Sequence, residues 1–235
     1  MVMETLIKKV DRVCTIQEAS QLKELGVDWI GISLSNEEIF NDDRNLTKET
    51  AVQIIEFLSF SSCVVEISVS NNLDEIIDFI IKSGIQYVQF SNCRIPSIEM
   101  RNKLYDNGIK IIYSGIAASY DDDPSWLLNP FLEERDTKNL SYYQVDLLGS
   151  IENSWNFLKF NCPNYEEDLQ IDDINELAKV HPLLITLDYS RENINEIIKC
   201  FPYIKGITMT LGQNCLRNDI HCFNFHEVCD ILSEI

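Results

Sequence analysis

The sequence predicts an α/β chain whose eight parallel strands close into a (β/α)8 TIM barrel. Three observations carry this: apolar strand-like runs alternate with amphipathic helix patterns, helices end at glycines that hand over at once to strands, and eight strand candidates fit within 235 residues. Alternating β and α elements require parallel strands joined by right-handed crossovers. Such a sheet is either open or closed, and eight units favour closure. Residues 1–235 are expected to form one domain, because a 45% hydrophobic content over this length fills a single core.

The first strand is expected over residues 10–14, where an apolar run gives way to the polar helix start Thr15-Ile16-Gln17-Glu18-Ala19. The helix-to-strand junction is clearest at Leu25-Gly26-Val27, Ser83-Gly84-Ile85 and Asn107-Gly108-Ile109. Glycine suits the position just past a helix because it enters the left-handed region at no steric cost. These junctions open strands at 27–32, 85–90 and 109–113. Helical spacing marks 48–57 through Ala51, Ile54, Ile55 and Leu58, and 73–81 through Ile76, Ile77 and Ile80. Strands near 63–69, 141–147, 183–188 and 204–210, with helices near 172–180, 191–200 and 224–233, continue the alternation. Two stretches depart from it. Residues 116–140 form an irregular region after strand five, in which Asp121-Asp122-Asp123-Pro124-Ser125-Trp126 reads as the capped start of an imperfect helix. Residues 150–171 read as an elaborated loop after strand six.

The net charge of −19 repels nucleic-acid phosphates and anionic lipid, so neither nucleic acid nor membrane is expected as a partner. No signal-peptide core opens the chain and no run of about 18 apolar residues occurs, which reads as a cytoplasmic protein. The eight cysteines are scattered through predicted strands and helices, so reduced thiols are expected. Cys215, His221, Cys222, His226 and Cys229 gather near the carboxyl end, but no Cys-x-x-Cys pair accompanies them. Packing of the last helix is therefore preferred to zinc, and no metal or cofactor is expected. Neither a phosphate loop nor a Gly-x-Ser-x-Gly elbow is present, which removes nucleotide hydrolysis and serine hydrolase chemistry. Trp29, Trp126, Trp155, Tyr142 and Tyr143 read as core more than as a pocket lining.

Barrels of this kind carry their chemistry where the strands end. Cys14 at the end of the first strand is thus a candidate base or nucleophile, against the alternative of a small buried hydrophobe. Asp146 closes Tyr142-Tyr143-Gln144-Val145-Asp146, where it suits a cap for the helix or turn that follows. Arg44 reads as a solvated loop residue paired with Asp42 or Asp43.

Read together, Arg12-Val13-Cys14-Thr15 and Glu24-Leu25-Gly26-Val27-Asp28-Trp29-Ile30-Gly31-Ile32 resemble the opening of the phosphoribosylanthranilate isomerases. That family begins with Lys-x-Cys-Gly and continues with Gly-Ala-Asp-x-x-Gly-Phe. Arg44-Asn45-Leu46-Thr47-Lys48-Glu49 is similar to its Arg-Tyr-Val-Ser-Pro-Glu, Val88-Gln89-Phe90 to its Val-Gln-Leu, and Ser190-Arg191-Glu192-Asn193-Ile194 to its Asn-Pro-Glu-Asn-Val. The matches run in chain order over roughly residues 9 to 212. The resemblance implies a metal-independent isomerase of tryptophan biosynthesis, performing an Amadori rearrangement of an N-linked ribose phosphate. It implies Cys14 as general base at ribose C2′, Asp146 as general acid on the ring oxygen, and Arg44 as partner of the anthranilate carboxylate. Gln89, Asp188, Thr208, Thr210 and Gly212 then fall at substrate-binding positions.

The family grips phosphate with glycine-rich backbone after strands seven and eight, whereas this chain has 8 glycines in all and reads Ile185-Thr186-Leu187-Asp188-Tyr189 where the family has Gly-Gly after strand seven. Thr208 replaces an aspartate of the eighth strand, Thr15 stands for the glycine after the base, and Arg12 for the lysine. Two further readings follow. The barrel has lost catalysis and serves as a ligand-binding or protein-interaction module, or it is an isomerase or lyase for an unphosphorylated or cationic ligand that Asp188 attracts.

Overall fold

The computed structural model describes residues 5–34, 44–58, 62–68, 73–91, 95–132, 140–212 and 220–235. Its strands are β1 Ile7–Asp11, β2 Trp29–Ser33, β3 Cys63–Ile67, β4 Tyr87–Phe90, β5 Lys110–Ala118, β6 Leu140–Leu147, β7 Leu183–Thr186 and β8 Gly206–Thr210. They pair in chain order, all in parallel, and β8 closes on β1. The expected (β/α)8 barrel is the observed one.

Helices α1 Ile16–Glu24, α2 Lys48–Phe57, α3 Leu73–Ser83, α4 Ile98–Asp106, α5 Asn129–Leu132, α6 Ser154–Asn156, α7 Ile171–Val180, α8 Ile194–Cys200 and α9 Phe225–Leu232 surround the sheet. Each longer helix turns one apolar stripe inward: Ala51, Ile54 and Ile55 from α2, Leu73, Ile77 and Ile80 from α3, Val228, Ile231 and Leu232 from α9. Side-chain caps start several of them, with Thr15, Thr47, Ser97 and Asn224 each accepting from the amide three residues on. The junction glycines Gly26, Gly84 and Gly108 take φ of 76°, 73° and 72°, as the handover from helix to strand requires.

Inside the barrel the lower layer is apolar, built from Trp29, Val64, Ile112 and Leu184 with Ile7, Tyr87 and Tyr142 against them. Gly206 completes it, since a Cβ there would overlap the backbone of Ile7. The layer above is polar, and it leads to the mouth.

Two local expectations are corrected. The first strand is Ile7–Asp11 and not 10–14: it pairs with both β2 and β8, and Arg12, at φ 64°, turns the chain out of the sheet. Lys9 lies wholly inside the barrel. Strand five continues to Ala118, with register shifts against β6, and the stretch Asp121–Trp126 forms turns before the short α5 at Asn129–Leu132. The expected elaborated loop after strand six is present and carries short helical pieces: α6 runs into a widened turn, Phe157–Asn161, and a tight turn, Cys162–Asn164.

Candidate functional site at the barrel mouth

The centre of the mouth is set by alternation along β1, which points Lys9 and Asp11 to the same inner face. The Lys9 ammonium donates to Asp11 Oδ1, to Gln89 Oε1 at 2.6 Å and to Gln144 Oε1 at 2.8 Å. An ammonium has three donors, and all three are used. The two amides then donate to Asp11 Oδ2, Gln144 at 2.9 Å and Gln89 at 3.4 Å, which closes the network. Gly31 on β2 makes room for it, because any Cβ there would collide with the Asp11 carboxylate. Arg12 is also buried and donates from Nε to the Leu211 carbonyl at 3.1 Å.

Glu66 on β3 stands beside this network, in register with Ser33 of β2 and Gln89 of β4. It is partly open to the mouth, whereas Val65 and Ile67 on either side are fully buried. Most of its surroundings are protein, and that burial, reinforced by the Asp11 carboxylate, lifts its carboxyl to about 7 against the pull of Arg12, Lys9 and Ser33. Nothing in the family pattern marked this residue.

Cys14 lies three residues beyond β1, on the α1 side of the mouth. Its Sγ is 3.5 Å from Glu18 Oε2 and 3.5 Å from Arg44 Nη1. Arg44 grips Glu18 with both arms, Nη2 to Oε1 at 2.9 Å and Nη1 to Oε2 at 3.2 Å, and also reaches the Arg12 carbonyl at 3.2 Å. Asp42 and Asp43, the sequence alternatives for Arg44, lie outside the described residues.

On the opposite side, Asp146 at the end of β6 faces His221. The ring Nδ1 is 2.7 Å from Asp146 Oδ1, and the His221 amide donates to Oδ2 at 2.8 Å. His221 Nε2 is 3.0 Å from the hydroxyl of Ser154, which donates to Asp188 Oδ1 at 2.7 Å. The same Asp188 oxygen accepts the Trp155 amide at 2.7 Å. Asp146 and Asp188 are therefore joined through His221 and Ser154, and the Asp188 carboxylate sits at the start of α6, where an anion would otherwise bind.

Among the described residues, several backbone donors after β7 and β8 are bonded within the chain; residues 213–219, which follow β8, lie outside the described residues. The Asp188 amide donates to Ser154 Oγ at 3.2 Å, Tyr189 to the Leu187 carbonyl at 2.8 Å and Ser190 to Asn193 Oδ1 at 2.7 Å. The Gly212 amide donates to the Phe223 carbonyl at 3.0 Å, and Phe223 returns a bond to the Thr210 carbonyl at 2.9 Å. Asn224 and Glu227 cap the start of α9 reciprocally, at 3.0 and 2.9 Å. Thr208 points inward and is fully buried, 3.3 Å from the Thr186 hydroxyl.

The expected site residues thus fall into four places. Gln89 joins the Lys9 network, Asp146 and Asp188 share the His221–Ser154 bridge, Cys14 and Arg44 share Glu18, and Thr208, Thr210 and Gly212 are bonded within the β7–β8 end. Sequence reasoning missed Lys9, Asp11, Glu66, Ser154 and Glu18, and weighed His221 only for zinc. One signal was available: parallel strands buried on both faces read as nearly unbroken apolar runs, so Glu66 within Val64-Val65-Glu66-Ile67 is out of place unless it faces a site. Among the described residues no three His, Cys, Asp or Glu side chains converge to hold a metal ion; His226 points to solvent and Cys215 lies outside the described residues. None of the six described cysteines is in a disulfide, and burial pushes the Cys63 thiol up to about 12.

No protein-family model and no curated protein matches the chain in sequence. Solved structures match in shape. The N-(5′-phosphoribosyl)anthranilate isomerase of Pyrococcus furiosus is 16% identical, with a TM-score of 0.66 and 98% of each chain covered. The enzyme of Thermococcus kodakaraensis is 17% identical, with a TM-score of 0.66 over 98% of each chain. That of Thermus thermophilus is 13% identical, with a TM-score of 0.62 over 97% of this chain and 98% of the other. A further isomerase structure, 14% identical with a TM-score of 0.61 over 98% of each chain, holds a reduced carboxyphenylamino-deoxyribulose 5-phosphate. The chain has the closed eight-stranded barrel of the phosphoribosylanthranilate isomerases, in a strongly divergent form.

Proposed function

We propose that this chain is an acid–base isomerase of the aldose–ketose type whose ligand is a small, unphosphorylated amino- or N-linked sugar. The observation that carries the reading is the bonding of the described β7–β8 end: the Asp188, Tyr189, Ser190 and Gly212 amides donate within the chain, and the Asp188 carboxylate accepts the Trp155 amide at the start of α6. An incoming phosphate would have to break those bonds and meet a like charge. A hydroxyl-rich or amine-bearing ligand meets carboxylates instead, at Glu66, Asp146 and Asp188. Asp146 is the acid of this reading, held in orientation by two bonds from His221.

The base position has a second register. Lys-x-Cys-Gly also aligns with Lys9-Val10-Asp11-Arg12, which puts Asp11 on the last residue of β1 and the left-handed Arg12 where the family has glycine. In that register Cys14 belongs to the α1 side with Glu18, and a ligand carboxylate reaches Arg44 only by displacing Glu18.

A non-catalytic binding or protein-interaction role is the second reading, favoured by the engagement of both Arg44 and Asp146 with partners of the same chain. The two are separated by incubating the protein with N-(ribosyl)anthranilate, with and without the 5-phosphate, and following aminoketose formation. Turnover of the unphosphorylated compound, reduced about 100-fold or more in Asp146→Asn, is the expected result. A comparable loss in Cys14→Ser would return the base role to the thiol. Turnover of the phosphorylated compound alone would contradict the reading, and turnover of neither would favour the non-catalytic one.

A further inference from the structure

We propose that Glu66 is the general base of the mouth, the carboxylate that takes the proton from the ligand carbon next to the aldehyde-level carbon. This rests on the acid–base reading above and names the group that performs it. Three observations lead to Glu66.

First, the groups at the first-strand position are not free to act. Asp11 is 2% exposed and accepts from Lys9, Gln89 and Gln144 together, so taking a further proton would break a closed network. Second, Glu66 is the neighbouring carboxylate that opens to the mouth. The three donors of Lys9 are used elsewhere, so Glu66 is held by the Ser33 hydroxyl and by the fields of Arg12 and Lys9. Third, every element packed around it adds to its control. From β1 come Lys9 and Asp11, from the turn after it Arg12, from β2 Ser33 and from β4 Gln89. The cations keep the carboxylate accessible as an anion, and Asp11 with the surrounding protein keeps it basic. A base poised near neutrality transfers protons most effectively at that pH.

The step balances without a co-reactant. In the ring-opened, protonated imine the C2–H bond breaks, its proton goes to Glu66 and its electron pair forms the C1–C2 double bond while the C1–N pair returns to nitrogen. Protonation at C1 by the carboxyl, with the enol O–H bond breaking and its proton passing to solvent as the C2=O double bond forms, then gives the aminoketose. The hydroxyl proton released replaces the one that made the imine cationic, and C2 is oxidised as C1 is reduced, so no outside oxidant or reductant is needed.

The test uses the full chain in deuterium oxide with unphosphorylated N-(ribosyl)anthranilate, following exchange of the ribose C2 hydrogen by proton NMR. Wild-type protein is expected to exchange it, with a rate that rises between about pH 6 and 8 as the carboxyl ionises. Glu66→Gln, a neutral isostere, is expected to cut the rate about 100-fold or more while unfolding cooperatively as the wild type does. Glu66→Asp guards against a merely structural effect: as a base it retains partial exchange with a displaced pH midpoint, which a packing defect would not produce. A folded Glu66→Gln protein that exchanges at the wild-type rate overturns the assignment and leaves the isomerase reading standing. Wild-type protein that exchanges nothing overturns the isomerase reading, and Glu66 with it. If Glu66→Gln does not fold, the Glu66→Asp profile decides: an unchanged midpoint overturns the assignment.

Discussion

Lys9 is the residue on which the barrel interior turns. A buried ammonium is costly, and three short acceptors offset that cost only while all are present. Lys9→Met is therefore expected to destabilise the protein by about 3–5 kcal/mol, because it leaves the Asp11 charge buried without its partner. Denaturant unfolding measures it, and a loss under about 1 kcal/mol would mean that Asp11 finds water instead. Glu66 works in the opposite sense. Its folded-state value near 7 lies above the ordinary 4.5, so the folded chain holds the proton more tightly than the unfolded one. That contribution is complete below the unfolded value and is lost as pH rises through about 7, a swing on the order of 3 kcal/mol. Glu66→Gln removes the swing: it is expected to be more stable than wild type at pH 8, with the difference fading by pH 4. Equal stability at both pH values would show that the carboxyl titrates normally. Neither residue was read from the sequence, since a lysine and a glutamate in apolar runs are ambiguous until the pairing register shows that they face inward together.

At the scale of elements, the ends of β6, β7 and β8 are locked to one another through α6. Asp188 holds the Trp155 amide and the Ser154 hydroxyl, and Trp155 Nε1 reaches Glu196 of α8 at 3.1 Å. Removing the carboxylate in Asp188→Ala leaves a donor without its acceptor, which costs about 1–3 kcal/mol. Faster amide hydrogen exchange at Trp155 reports the same loss locally, and unchanged exchange there would mean that the carboxylate does not hold α6. This element escaped sequence reading for a physical reason. Three helical residues carry no periodicity, and their cap comes from a side chain 34 positions away. The longer helices were legible because their stripes and caps are local, as in α2 and α3. The first strand was misplaced by three residues because Lys8 and Lys9 obscured its start and Val13-Cys14 prolonged its apolar run past the turn at Arg12.

For the molecule as a whole, the barrel was legible and its mouth only in part. Eight strand–helix units with glycine handovers specify closure through local chemistry repeated along the chain. The mouth is assembled from the ends of strands far apart in sequence, so its partners emerge only with the fold: His221 meets Asp146 across 75 positions and Gln144 meets Lys9 across 135. The absence of Gly-Gly from Ile185-Thr186-Leu187-Asp188-Tyr189 was visible, and the structure adds that Asp188 has a bonding role of its own at α6. With a net charge of −19 around it, a mouth so bonded offers phosphate little attraction. The direct measurement is thermal unfolding of the wild-type protein titrated with inorganic phosphate, against sodium chloride at matched ionic strength. The expected result is no stabilisation beyond the chloride control, whereas a saturable rise in the midpoint with phosphate would contradict the closed β7–β8 end.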